Sequence, residues 1–314
     1  MASQGKTKSS INLSLIICTI NRAEQMKQCV CRMLEQISLI DSAEIIIVDN
    51  GSTDNTKEVA LGLVREGDGK IKYIHENHPG ACRARNRGRM EAKGNWLAFI
   101  DDDALPHEDW VKSILTASSL PEVDLVTGRI FAKPVGGIPE WFPNNLLWVL
   151  AEYNHGDNLV ELTYPESGFP AGNFAIKTSV YDHVGGFNEE LKIYGEEVLF
   201  FKMFAKGGHK AFYFPEMAID HMPDLSRMTK RSLLTKALHM GRGVGGLRWI
   251  DQRQSHSKLI GLAFGIIVKG SSLMLVSALS QGRFDRMFTG VMNLGSALET
   301  FDRAWRSGNQ KGRC

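Results

Sequence analysis

EIIIVDNGSTDNT, residues 44–56, decides the fold. Ile45 to Val48 is a run of β-branched residues without alternation, so both faces of the segment want cover. That is the pattern of a strand inside a parallel sheet. The run ends on Asp49 and passes into a turn rich in Gly, Asn and Ser that leads to a helix start, with Asp54 as the expected cap. The same arrangement lies upstream. SLIICT (14–19) is a second apolar run closed by polar Thr19 and Asn21, and residues 23–37 carry apolar positions at helical spacing. Downstream, IKYIHE (71–76) and NWLAFID (95–101) supply a third and a fourth strand. Strands alternating with helices through short polar connections imply right-handed crossovers and an α/β fold with a parallel sheet.

Ligands of such sheets bind outside the carboxyl ends of the strands. The polar residues gather there: Thr19 and Asn21 after the first strand, Asp49 after the second, Asp101 to Asp103 after the fourth. In FIDDDALP (99–106), three adjacent carboxylates repel one another in low dielectric unless a cation joins them. Oxygen ligands favour a hard ion, Mn²⁺ or Mg²⁺, which characteristically bridges a carboxylate to substrate phosphates. The competing reading makes one of these Asp residues the cap of a helix beginning near Pro106, with Glu108 and Asp109 in its first turn. In HENHPGACRARNRG (75–88), Arg85 is placed to neutralise a diphosphate, while Arg87 and Arg89 read as a solvated helix face. Glu196 and Glu197 open a helix; they suit either its dipole or a general-base role. His221, beyond the strand AFYFPE (211–216), is structural, a metal ligand or a diphosphate contact.

In this order, the motifs resemble family 2 inverting glycosyltransferases of the GT-A fold, over about residues 14–221. SLIICTINR (14–22) resembles the opening strand and nucleotide-contacting loop, which brings in Thr19, Asn21 and Arg22. VDNGSTDNT (48–56) resembles the nucleoside loop, and FIDDDALP the D-x-D region with Asp101 and Asp103 as its ends. PAGNFAIKTSVYDHVGGFNEEL (170–191) followed by GEEVLFFKMFAKG (195–207) resembles the acceptor-side block that closes on the catalytic acid pair. The resemblance implies a Rossmann-like sheet with flanking helices, a nucleotide-sugar donor, most commonly a UDP-sugar, and a divalent metal. It implies that Asp49 binds the nucleobase, Asp101 and Asp102 the nucleoside and ribose side, and Asp103 the metal and diphosphate. Glu197 becomes the base. The chain departs from the family in having Glu196-Glu197 where Glu-Asp is common, which leaves the base assignment open between the two. It also has Asp49-Asn50 where Asp-Asp is frequent, which gives Asn50 part of the base contact.

The 314 residues, 43% hydrophobic and 23% charged, are globular in composition, and a formal net charge of +2 gives no support for a nucleic-acid partner. Five cysteines without metal spacing suggest reduced thiols and a cytoplasmic enzyme. The expected organisation is a disordered 1–10, a catalytic domain over 11–225, and a basic, apolar helical extension over 226–314. Residues 259–279 are apolar around Lys269, whose insertion at a bilayer centre costs about 2.5–3.5 kcal/mol. Basic residues precede them, so the segment reads as an in-plane anchor or a buried helix. The expected acceptor is a glycan or a lipid-linked molecule at the inner face of the cell membrane, its identity set by the Pro/Trp stretch around Trp141 and Trp148. A nucleotidyltransferase would carry a glycine-rich loop after its first strand, where this chain has TINRAEQ (19–25). A degenerate sugar-nucleotide binder would lack the metal or base residues.

Overall fold

The computed structural model describes residues 12–189, 196–251, 263, 265–267, 269–274 and 284–311. Three βα steps and a fourth strand come first: β1 (Leu13–Thr19), α1 (Ala23–Ile37), β2 (Ala43–Asp49), α2 (Thr56–Glu66), β3 (Ile71–His75), α3 (Ala81–Glu91) and β4 (Trp96–Asp101). There follow β5 (Ala104–Pro106), α4 (Trp110–Ser118), β6 (Leu125–Ala132), β7 (Val160–Leu162), β8 (Asn173–Lys177), α5 (Thr178–Val184), α6 (Glu196–Lys206) and β9 (Ala211–His221). The described strands form one sheet in the order β3-β2-β1-β4-β8-β6-β9-β5, with β7 also on β9. The β1–β2, β2–β3 and β1–β4 pairs are parallel, whereas β8 runs antiparallel to β4 and β6. This is a mixed, mostly parallel α/β sheet, as the strand and helix alternation implied.

The unbroken apolar runs have the cover they called for. Ile45 and Ile47 of β2 enter the core built with Met26, Cys29, Val30, Met33 and Ile37 of α1. Ile46 and Val48 enter the opposite core, with Phe99, Phe174, Tyr181 and Phe200. Two close approaches fix the layers. A Cβ on Gly88 of α3 would lie 2.4 Å from the Ile16 Cγ2, so this helix can sit on β1 only as glycine. On Gly128, next to the register shift between β6 and β9, a Cβ would fall 1.8 Å from the Met217 carbonyl oxygen. Gly128→Ala must therefore spread two paired backbones. The expected cost is about 3 kcal/mol, at the upper end for overpacking, read as a lower denaturant midpoint.

The chain divides into two compact units, residues 1–132, 151–189 and 200–222 in one and 133–150, 190–199 and 223–314 in the other. The second unit thus takes in two segments that the sequence placed in the catalytic domain. Within it, α7 (Lys230–Asp251) and α8 (Phe284–Lys311) pack at glycines. A Cβ on Gly241 would lie 1.8 Å from the Met292 carbonyl oxygen, and one on Gly295 2.3 Å from that of Leu238. Buried Glu299 of α8 joins the helices by accepting from Arg242 of α7 (3.2 Å), and Arg303, one turn on in its own helix, donates to it at 2.8 Å. Trp141 and Trp148 set their rings edge-on against Phe284 and Phe288 of α8. Among the described residues no helix is long and apolar enough to cross a membrane. The expected disordered 1–10 and most of the expected anchor, 259–279, lie outside the described residues.

Candidate functional site

Register brings the strand ends level. Thr19 stands opposite Asp49, Cys18 opposite Asp101, and Asp49 opposite His75. Thr19, Asp49 and Asp101 therefore share one end of the sheet, and the residues around them fall into two groups.

The first group surrounds Asp49, which is 1% exposed. Its Oδ1 accepts from the Ser52 N–H at 2.8 Å and its Oδ2 from the Tyr73 hydroxyl at 2.8 Å, with His75 Nδ1 at 3.8 Å. Burial, and then the hydrogen bond to Asp49, hold the Tyr73 phenol well above its ordinary pKa, so it stays a proton donor. Asn50 is turned differently from its expected role in base contact. Its amide accepts from the Gly80 N–H (2.8 Å) and donates to the Gly80 carbonyl (3.1 Å), fixing the turn that starts α3. Asn21, at φ +53°, accepts from the Thr53 N–H at 2.7 Å, and its own N–H donates to Ser52 Oγ at 2.9 Å. It thereby ties the loop after β1 to the loop after β2. The N-cap of α2 is Asn55 rather than the expected Asp54, which instead accepts from the Thr56 N–H at 3.0 Å from one position further out. Tyr73→Phe should leave one oxygen of a buried carboxylate without its donor and cost about 1–3 kcal/mol in thermal unfolding.

The second group is the acid triplet. The helix after it begins at Trp110 with Asp109 at its N-cap, and Ala104 to Pro106 form β5. None of the three carboxylates caps that helix. Asp101 is the open one, its side chain 44% exposed, and Arg85 Nη2 stands 3.6 Å from it. Arg85 lies 5.2 Å above the Phe187 ring. Gly172 admits the Asp101 carboxylate, since a Cβ there would lie 2.3 Å from Oδ2. Asp102 and Asp103 are buried and share Arg22, whose Nη1 is 2.5 Å from Asp102 and 3.1 Å from Asp103 Oδ2. The other Asp103 oxygen faces His221 Nε2 at 3.3 Å. His221 closes β9 opposite Ala104, and the Met222 N–H donates to the Asp103 carbonyl at 2.7 Å. A long-range strand pairing thus carries a residue from position 221 to the acids.

Burial pushes the Asp102 carboxyl up to about 6; Arg22 opposes this and Asp103 adds to it. The ordinary value for such a carboxyl is 3.8. A raised folded-state pKa means that the protonated acid favours the fold. Its stabilising contribution is complete below pH 3.8 and is lost as pH rises through about 6. In the metal-free protein at pH 7, Asp102→Asn should therefore raise stability by on the order of 2–3 kcal/mol, and should flatten the melting profile between pH 4 and about 6.5. The buried Thr19 hydroxyl lies outside good hydrogen-bonding geometry with any described residue, though it still helps to hold Asp102 ionised.

Among the described residues no three His, Cys, Asp or Glu side chains are placed to hold an ion. The adjacent Asp103 and His221 supply one oxygen and one nitrogen. Such a partial set fits Mn²⁺ or Mg²⁺ completed by phosphate oxygens, since these ions are commonly bound by one or two side chains plus substrate. Glu196 and Glu197 open α6 as expected; they belong to the second unit, where Glu197 is half-buried.

The segment 80–89 is fixed by partners far away in sequence. Asn86 accepts from the Tyr181 hydroxyl (2.8 Å) and the Phe187 N–H (3.0 Å) and donates to the Phe187 carbonyl (2.8 Å), which sets the ring beneath Arg85. Of the two arginines read as a solvated face, Arg87 pairs one turn on with Glu91, while Arg89 makes a fork with Asp182 (2.8 and 2.6 Å). Tyr73 and Gly172 could have been found only from a knowledge of which strands neighbour which.

Comparison with known proteins is consistent with this architecture. A family model described as Glycosyl transferase family 2 matches residues 14–185. Glycosyltransferase AglE of Haloferax volcanii is 28% identical over 258 residues, 82% of this chain and 80% of that protein. Chondroitin synthase of Pasteurella multocida is 29% identical over 229 residues, 63% of this chain but 23% of its own much greater length. Among solved structures, the mannosyltransferase PcManGT of Pyrobaculum calidifontis, in complex with GDP-Man and Mn²⁺, superposes with a TM-score of 0.62 at 16% identity. That match covers 93% of this chain and 88% of the other. GalNAc-T7 with UDP, GalNAc and Mn²⁺ gives a TM-score of 0.56 at 16% identity, covering 74% and 48%. At such identities the two structures share the fold.

Proposed function

The chain belongs to glycosyl transferase family 2, and from that premise we propose that it moves a sugar from a nucleoside-diphosphate sugar to an acceptor hydroxyl with inversion. The observation that carries the reading is the meeting of Thr19, Asp49 and Asp101 to Asp103 at the carboxyl ends of adjacent parallel strands, with His221 brought beside Asp103. Asp49, oriented by Ser52 and Tyr73, receives the nucleobase, and a fixed buried acceptor of this kind discriminates strongly between bases that can and cannot pair. Asn21 and Asn50 hold the loops that frame it. Asp101 and Asp102 face the ribose side. Asp103 and His221 would hold Mn²⁺ or Mg²⁺, which when bound would supply positive charge to the departing diphosphate. Arg85, steadied over Phe187, adds a guanidinium for the same oxygens. Glu197, or its neighbour Glu196, takes the proton of the acceptor hydroxyl as that oxygen attacks the anomeric carbon.

The first donor to test is a UDP-sugar, the commonest donor of the family, while the UDP and GDP complexes of the two solved neighbours leave the nucleotide open. The proposed acceptor is a glycan or lipid-linked molecule of the cell envelope, reached from the cytoplasmic face of the membrane. The deciding assay incubates purified protein and Mn²⁺ with UDP-, GDP- and dTDP-sugars and measures nucleoside diphosphate release. Release from one donor, abolished by EDTA, is the expected result. Absence of both release and metal-dependent donor binding would leave a binding protein without transferase chemistry.

A further inference from the structure

The acid pair already holds a cation of its own. Arg22 lies just past Asn21, whose left-handed backbone and hydrogen bonds to the 52–54 loop fix where the side chain starts. Its guanidinium bridges Asp102 and Asp103 and is about one quarter exposed, so it can leave toward solvent without opening the core. The Asp103 oxygen that meets Arg22 belongs to the carboxylate whose other oxygen faces His221. A divalent ion at Asp103 and a guanidinium at Asp103 therefore compete for one carboxylate, at a range where like charges repel strongly.

Resting on the reading of Asp103 and His221 as metal ligands, we infer that Arg22 is a built-in counter-ion that keeps the free metal off the acids until a nucleoside diphosphate draws the guanidinium away. The diphosphate offers Arg22 a bidentate partner of higher charge than a single carboxylate, and planar guanidinium forks favour such oxygens. The released Asp103 then takes the metal. Metal and nucleotide become thermodynamically coupled through one side chain, each tightening the other by the same factor. The arrangement disfavours an ion bound without a donor. Arg85 does not share this role, since it meets Asp101, the open member of the triplet, at 3.6 Å.

The test is Mn²⁺ binding followed by electron paramagnetic resonance of the free ion, for wild type, Arg22→Gln, Arg22→Lys and Arg85→Gln, each alone and with UDP or GDP. Arg22→Gln should bind Mn²⁺ without nucleotide about tenfold more tightly than wild type, and the tightening by nucleotide should shrink by a similar factor, within the usual range of coupling between sites. Arg22→Lys keeps the charge but loses the fork and should fall between. Arg85→Gln removes an equal charge nearby and, without nucleotide, should change Mn²⁺ affinity little. Melting curves with and without Mn²⁺ confirm folding, and the ion should stabilise Arg22→Gln more than wild type. Equal Mn²⁺ affinity in wild type and Arg22→Gln overturns the inference and leaves the metal site standing. Equal tightening by Arg85→Gln also overturns it, because general charge then explains the effect. If no protein binds Mn²⁺ with or without nucleotide, the metal assignment and the inference fall together.

Discussion

Asp103→Ala is expected to lower sugar transfer by on the order of 10³-fold, the loss typical when a principal electrostatic partner of the transition state is removed. Both oxygens of this carboxylate are engaged, one toward His221 and one toward Arg22, so its removal takes a partner from each. The fold should survive. Asp102 remains to hold Arg22, and the Met222 N–H bonds to the backbone of residue 103, which the substitution leaves in place. The loss should therefore appear as a rightward shift in the Mn²⁺ titration and a fall in kcat, with an unchanged or slightly raised melting temperature. His221→Ala should show the same pattern at a smaller magnitude, about 10- to 100-fold. Undiminished turnover of Asp103→Ala, with its metal dependence intact, would remove Asp103 from the centre of the chemistry.

The second large effect is expected at the start of α6. Glu197→Gln keeps the size and hydrogen-bonding capacity of the side chain but removes its basicity. A lost general base lowers kcat by roughly 10²- to 10⁴-fold. Donor KM should change little, because the base meets the acceptor rather than the nucleotide. Glu196→Gln is the paired experiment: adjacent residues on a helix point about 100° apart, so they cannot both reach one hydroxyl in the same way. Whichever glutamine variant loses turnover with donor KM unchanged names the base. Full turnover in both would sink the assignment of either glutamate to proton removal.

The sheet was legible because its determinants are local. Ile45 to Val48 and Leu13 to Ile17 are apolar on both faces, and no other element satisfies that pattern over so few residues between polar turns. The placement of Asp49 and Asp101 followed from the same reading, since a parallel strand must end where its ligands bind. The roles of neighbours were less legible. Asn50 looked like a base contact because it adjoins Asp49, yet its amide holds Gly80, a partner thirty residues away. Asn21 similarly serves the 52–54 loop. An amide that can donate and accept is suited to either task, and sequence carries no mark of which partner is nearer. The helix expected near Pro106 begins instead at Trp110, because Ala104 to Pro106 are drawn into pairing with β9. That partner lies more than a hundred positions away.

What the sequence by itself determined was the alternation of strands and helices, the carboxylates at the strand ends, and the order of motifs that marks the family. These depend on periodicity and turn chemistry within about twenty residues, where the chain has few alternatives. Tertiary structure alone decided which of the acids is buried, that Arg22 bridges two of them, that Tyr73 supports Asp49, and that His221 stands beside Asp103. Each depends on strand order and on register between distant segments. A shift of one residue in a strand turns every side chain to the other face, so contact chemistry of this kind exists only once the whole sheet has formed.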